Sequence, residues 1–233
     1  MKKRFLLIFL ALLASLSLSA CGKEPYDLLH TVEYGGRAYC VRGSSMRAKR
    51  IVVKEGEEVI WSQKVKVDSA VGTQGGDYGF EILDLNFDGF ADFMIADDVA
   101  GDCVSYVCWL WDNEAGDYIK SESLTGLCNV EINEKLQAVF GFKHTYATEK
   151  AYLDVPATTT TSDITTKYVW KDGVLTPDIR VSLTYFSETD RYLYSVAYYN
   201  AETGEMDEDY TKEQWWTPDE YKAQDLSVLY YFK

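Results

Sequence analysis

Histidine is scarce in this chain. Only His30 and His144 occur in 233 residues, and neither has a motif partner beside it. No Gly-x-Ser-x-Gly elbow and no His-Glu-x-x-His is present, so no nucleophilic or zinc-hydrolytic constellation can be read from the order of residues. Both histidines are therefore expected to be structural or surface groups. The glycine-rich stretch at 72–76 lacks the Lys-Ser/Thr of a phosphate loop, which leaves it as a surface loop. Positive charge is also in short supply: 23 Lys and Arg stand against 37 Asp and Glu, for a formal charge of −14. Such a chain does not bind nucleic acid through its phosphates; it favours cations or basic partners. The acids are too numerous for any two to be singled out as a glycosidase pair, which needs a defined separation in space.

The apolar run Phe5–Leu18 is too short to span a bilayer comfortably, follows Lys2-Lys3-Arg4 and ends in small residues. That is the pattern of a cleaved signal segment over residues 1–20. Leu18-Ser19-Ala20-Cys21 resembles a bacterial lipobox, which implies cleavage before Cys21 and a lipid on its sulfur. Residues 21–27 then form a tether, and the chain is expected outside the cytoplasm, held to a membrane at the cell surface or in a periplasm. Removal of residues 1–20 leaves 213 residues and takes the charge to −17, enough chain for one substantial core.

Aromatic residues make up 15% of the sequence, much of it in alternating runs, which is a strand signature. Turn signals recur at short spacing: Gly35-Gly36, Lys54-Glu55-Gly56-Glu57, Asn113–Gly116, Asp172-Gly173 and Asn200–Glu205. The run Val104–Trp111 is almost wholly apolar, as expected of a strand buried on both faces. Further strands are expected at Val181–Phe186, Tyr192–Tyr199 and Leu226–Phe232. The persuasive helix start after the signal is Thr217-Pro218-Asp219-Glu220, with a capping threonine, proline at the first position and acids in the first turn. No strong domain boundary appears. The expectation is one all-β domain over 28–233, an irregular propeller-like or sandwich body with one short C-terminal helix. Four cysteines follow Cys21: Cys40, Cys103, Cys108 and Cys128. A hairpin turning at 113–116 brings Cys128 near the register of Cys103, which leaves Cys40 for Cys108; four free thiols are the alternative.

Asp84-Leu85-Asn86-Phe87-Asp88-Gly89-Phe90-Ala91-Asp92 places oxygen side chains at positions 1, 3, 5 and 9, with glycine at 6. Ca²⁺ takes six to eight oxygens, and the glycine lets carboxylates converge. An EF-hand loop would carry Glu at position 12; here that residue is Ile95, and strand-like residues flank the loop, so the site is expected as β-loop-β. The ligands are Asp84, Asn86, Asp88, the Phe90 carbonyl and Asp92, completed by water or by one of Asp97, Asp98 and Asp102. The alternative is a plain Asn/Asp/Gly turn.

These pieces, with Trp109–Tyr118 and Tyr168–Leu175 after the acidic loop, resemble a family of bacterial periplasmic and lipid-anchored proteins with an irregular propeller-like β fold. Members of that family bind calcium and inhibit lysozyme-like enzymes, including as immunity proteins against secreted peptidoglycan hydrolases. The resemblance covers residues 77–175 best, and a single acidic loop argues against a propeller with calcium in every blade. It implies a non-enzymatic lipoprotein that binds a macromolecular partner, a peptidoglycan hydrolase, with Ca²⁺ as a structural ion. The alternatives are a surface glycan-binding module using Trp215 and Trp216, and an acid-pair hydrolase.

Overall fold

Turn chemistry divides the chain into successive meanders. The computed structural model describes residues 25–44, 47–67, 79–149, 158–200 and 202–224. The expected signal segment, Cys21 and most of its tether, the glycine-rich loop before Gly79, and the strand Leu226–Phe232 lie outside the described residues.

The first sheet contains β1 (Asp27–Tyr34), β2 (Arg37–Ser44), β3 (Arg47–Glu55) and β4 (Glu58–Lys64). The middle sheet contains β5 (Phe80–Leu83), β6 (Asp92–Ala100), β7 (Cys103–Asp112) and β8 (Asp117–Lys120). The third contains β9 (Glu131–Asn133), β10 (Ala138–Glu149), β11 (Thr158–Lys171), β12 (Val174–Phe186), β13 (Arg191–Tyr199) and β14 (Met206–Trp216). Among the described residues all the ladders are antiparallel, and in each sheet the spatial order is the chain order. The one short helix among the described residues, α1 (Pro218–Lys222), starts at the expected capping threonine, which forms a capping box: the Glu220 amide donates to Thr217 Oγ1 and the Thr217 amide to Glu220 Oε2. The protein is thus an all-β domain.

The turns form where their residues make them cheap. Asp172 and Gly173 both hold positive φ (50° and 76°) between β11 and β12, the conformation that a two-residue hairpin matched to strand twist requires. The turns after Trp111 and Tyr199 are twins. In each, a glycine amide closes onto a carbonyl four residues back, Gly116 to Asp112 and Gly204 to Asn200, both at 2.8 Å. In each, the Asp112 or Asn200 side chain accepts the next two free amides.

Period-two alternation in the middle sheet decides the layering. Phe93 and Ile95 of β6, with Trp109 of β7, pack into one cluster with Tyr39, Val41, Ile51 and Val53 of the first sheet. Met94 and Cys108, one residue out of phase, enter a second cluster with Leu124, Val130, Val139 and Leu175. The middle sheet is therefore the shared layer, buried by the first sheet on one face and by the base of the third on the other. This is the two-faced burial expected of Val104–Trp111. Rings of Tyr39, Trp61, Phe93, Trp109 and Tyr118 meet at 4.8–6.4 Å, edge-on or tilted except for the stacked Phe93–Trp109 pair at 5.1 Å, and the Tyr39 and Tyr118 hydroxyls share a buried hydrogen bond of 2.9 Å. Such ring pairs contribute about 0.5–1.5 kcal/mol each beyond burial.

The disulfide joins Cys103 to Cys128, the expected pair; β8 ends at Lys120, and Cys128 comes beside β7 through an isolated bridge to Ser105. The Cys40–Cys108 pairing is not made: both thiols are free and buried. The layering explains this. Cys108 faces the third sheet, whereas Cys40 sits between Tyr39 and Val41, whose side chains face the middle sheet, so alternation turns Cys40 to the far side of the first sheet. Strand lengths also differ from expectation. β12 runs for 13 residues, beyond the apolar segment Val181–Phe186 that announces it, and β14 arises in a charged stretch with no apolar alternation.

Candidate metal centre

The acidic loop joins β5 to β6 and is held by its own alternation. Leu85 and Phe87 turn into the cluster beneath, Leu85 completely buried, while Asp84, Asn86 and Asp88 stay on the outer side. Two left-handed residues, Phe87 (φ 61°) and Gly89 (φ 87°), fold the chain back on itself. Gly89 suits this conformation, since a side chain there would be strained; at Phe87 the same conformation goes with a ring that is partly buried against the core cluster.

The outer oxygens gather the loop's free amides. Asp84 Oδ2 accepts from Gly89 at 2.8 Å and Asp84 Oδ1 from Asp88 at 3.1 Å. Asp88 Oδ1 accepts from the Phe90 amide at 2.9 Å, and Asn86 Nδ2 donates to Asp88 Oδ2 at 2.8 Å. Positions 1, 3 and 5 thus share one turn, as the spacing requires.

Asp92 behaves differently. It is fully buried, and both its oxygens are engaged: Oδ2 accepts from the Leu85 amide (2.8 Å) and Oδ1 from the Trp111 amide (2.7 Å). It staples the loop to β7. Burial pushes its pKa up from 3.8 to about 7; the two amide bonds oppose this, and the nearby Asp88 and Asp84 charges add to it. A third clamp comes from far along the chain, where Trp170 Nε1 on β11 donates to the Leu85 carbonyl at 2.9 Å.

Among the described residues no three acids, histidines or cysteines are drawn together as a ready metal cage. The donor set still fits Ca²⁺ in kind: hard oxygens from three outer side chains stand on one turn, and behind them lies a buried carboxyl whose charged neighbours are both acidic. Asp97, Asp98 and Asp102 do not complete the set. Asp97 and Asp98 lie five and six residues along extended β6 from Asp92, roughly 16–20 Å away, and Asp102 lies beyond that strand; Asp98 Oδ1 instead accepts the adjacent Val99 amide.

The other sequence candidates scatter. Trp216 is buried and stacked on Tyr194 at 5.0 Å, while Trp215 is half exposed against Phe186 at 5.2 Å. His144 makes an exposed contact with Asp163, Nδ1 to Oδ1 at 2.6 Å, and that hydrogen bond raises its pKa. Order along the chain gave no sign of the Trp170 clamp. In sequence, Tyr168–Leu175 is only a strand and Asp-Gly hairpin within the family resemblance, and only the packing of the third sheet on the middle one brings the indole to Leu85.

The fold and the loop define a class: an all-β stack of three antiparallel meanders, with an acidic β-loop-β turn lodged between the second and third. No family model and no curated protein matches the chain. Among solved structures, one described as a Xanthomonas Type IV secretion system related protein matches 79% of this chain and 92% of its own length, with a TM-score of 0.53 and 14% sequence identity. At that identity the likeness shows the fold alone.

Proposed function

We propose that this protein is an extracytoplasmic lipoprotein, anchored through Cys21, that uses a calcium-braced β scaffold to bind a macromolecular partner and inhibit a lysozyme-like peptidoglycan hydrolase. The observation that carries the calcium part is the Asp84–Asp92 loop, with three oxygen side chains on one turn and a buried carboxyl among acids behind them. The ligands on this reading are Asp84, Asn86, Asp88, the Phe90 carbonyl and Asp92. Bound there, Ca²⁺ neutralises the clustered acids and fixes the turn. The inhibitor part rests on the family resemblance of residues 77–175. It gives the scaffold a plain mechanism, in which a rigid loop docks on an enzyme without chemistry of its own.

Calorimetric titration of calcium into the chain from residue 22, with melts in calcium and in chelator, tests the metal. One equivalent bound, with a raised melting temperature, supports it; no binding reduces the loop to a turn. Asp88→Ala is expected to lower the melting temperature in calcium and to change little in chelator. Saturation at 100 times Kd adds about 2.7 kcal/mol, so the two conditions separate clearly; an equal drop in both rejects the metal reading. A lysozyme-inhibition assay on the same preparation tests the partner class.

One observation favours a second reading, a surface glycan-binding module: Trp215 stays half exposed on β14 beside Phe186, as a sugar-stacking ring would. Trp215→Ala abolishing retention on a polysaccharide column, with hydrolase inhibition absent, would favour it.

A further inference from the structure

The third sheet carries a cleft of about 390 Å³, lined by β10 to β13 and the segment ending at Cys128 and by no residue of the acidic loop. That size suits a small organic ligand. Its register is simple. Gly141, Thr166 and Arg180 lie side by side across β10, β11 and β12, and Lys143 stands two residues beyond Gly141 on the same face. Gly141 leaves the row without a side chain at one end, which opens the floor. A Cβ there would meet only ordinary contacts, 3.5 Å from the Tyr168 ring and 3.6 Å from the Cys128 carbonyl.

The charge of the lining runs against that of the chain. A protein of formal charge −14 places two cations here, Lys143 and Arg180, and no acid. Among the described residues neither cation makes an ion pair. Asp178, two residues before Arg180, is instead taken by Lys167 at 2.6 Å. Arg180 Nη2 donates only to Met206 Sδ, at 3.5 Å, a weak acceptor. Two strands and one row apart, the Lys143 and Arg180 backbones are roughly 12 Å from each other, so both long side chains can reach one group held over Thr166. Tyr168 and Tyr199 supply aromatic wall, and Arg180 is close enough to the half-buried Tyr168 hydroxyl to oppose the rise in pKa that burial causes.

We propose that this cleft binds a carboxylate-bearing ligand, its oxyanion between Lys143 and Arg180 and its body against Tyr168 and Tyr199. A guanidinium fork matches a carboxylate in two hydrogen bonds, and an ammonium adds a point charge. The carboxylate could belong to a free organic acid or to an acidic side chain of a bound protein. The site is separate from the calcium loop, so failure of one reading leaves the other standing.

The test is calorimetry on the purified full chain with 4-hydroxyphenylacetate and with an acetylated, amidated Tyr-Glu dipeptide, in calcium and in chelator. Saturable binding of either probe in both conditions is expected. Lys143→Gln and Arg180→Gln should each weaken it tenfold or more. Gly141→Val keeps both charges, fills the floor, and should weaken it similarly; melts identify any variant that has merely unfolded. Preference for the acid assigns a free-ligand site, and preference for the dipeptide assigns a docking site for acidic side chains. No saturable binding of either probe, or equal binding of neutral 4-hydroxyphenylacetamide, overturns the proposal.

Discussion

Replacement of Asp92 by asparagine separates two effects that coincide at this residue. The carboxyl accepts two backbone amides, from Leu85 and Trp111. Asparagine keeps one acceptor oxygen and turns an NH₂ toward the other amide, so one bond is lost and a buried donor left unmet, at a cost of about 1–3 kcal/mol. The carboxylate has a cost of its own. Its pKa is 3.8 in the open chain and about 7 in the fold, raised chiefly by burial. A raised carboxyl pKa means that the folded protein holds the proton longer. Its contribution is whole below pH 3.8, declines as pH rises, and is gone above about 7. At about 1.4 kcal/mol per pH unit the span is about 4 kcal/mol, of which about 2–3 kcal/mol falls between pH 5 and pH 8. In calcium-stripped protein, followed by tryptophan fluorescence in urea, the variant should therefore be the weaker at pH 5 and should draw level with or overtake the wild type by pH 8. Other titrating groups, His144 among them, are common to both proteins and cancel in the difference. Parallel curves with a constant gap would show that Asp92 is ionised throughout and would refute the argument.

Two further outcomes follow from the clamps around the same loop. Trp170→Phe keeps the ring and removes the indole bond to the Leu85 carbonyl; it should cost about 1 kcal/mol in urea unfolding and weaken calcium binding in calorimetry, whereas unchanged affinity would mean that the clamp does not hold the turn. Joint replacement of Cys103 and Cys128 by serine frees a link across 25 residues and should lower stability by about 3.5 kcal/mol on the loop-entropy scale, read as a lower urea midpoint.

Much of the fold was legible because its turns are spelled in residues with few alternatives. Gly35-Gly36 and Asp172-Gly173 can hardly do anything but reverse a strand, and the hairpin at 113–116 returns the chain toward Cys103, although it is the isolated Ser105–Cys128 bridge beyond β8 that sets the disulfide. The Cys40–Cys108 pairing failed because elimination ignores layers: which face of a sheet a thiol occupies depends on a phase that only packing shows. β14 was missed for a related reason. An edge strand half exposed to water needs no apolar alternation, and Met206-Asp-Glu-Asp-Tyr-Thr-Lys-Glu-Gln gives none. In the candidate site, positions 1, 3 and 5 share one turn because that spacing is local. Asp92 and Trp170 act through partners 19 and 85 residues away, and no local pattern encodes those meetings.

The chain-order pairing of strands in all three sheets has a kinetic consequence. Among the described residues no ladder waits for a distant partner, so each meander can close over short loops at small entropic cost. The slow events are then the dockings, first sheet onto middle and third onto middle, which bury the two faces of β6 and β7. The Cys103–Cys128 link spans the second of these seams. Oxidation before docking would hold the third sheet beside its seat, whereas the first sheet must find its seat unaided.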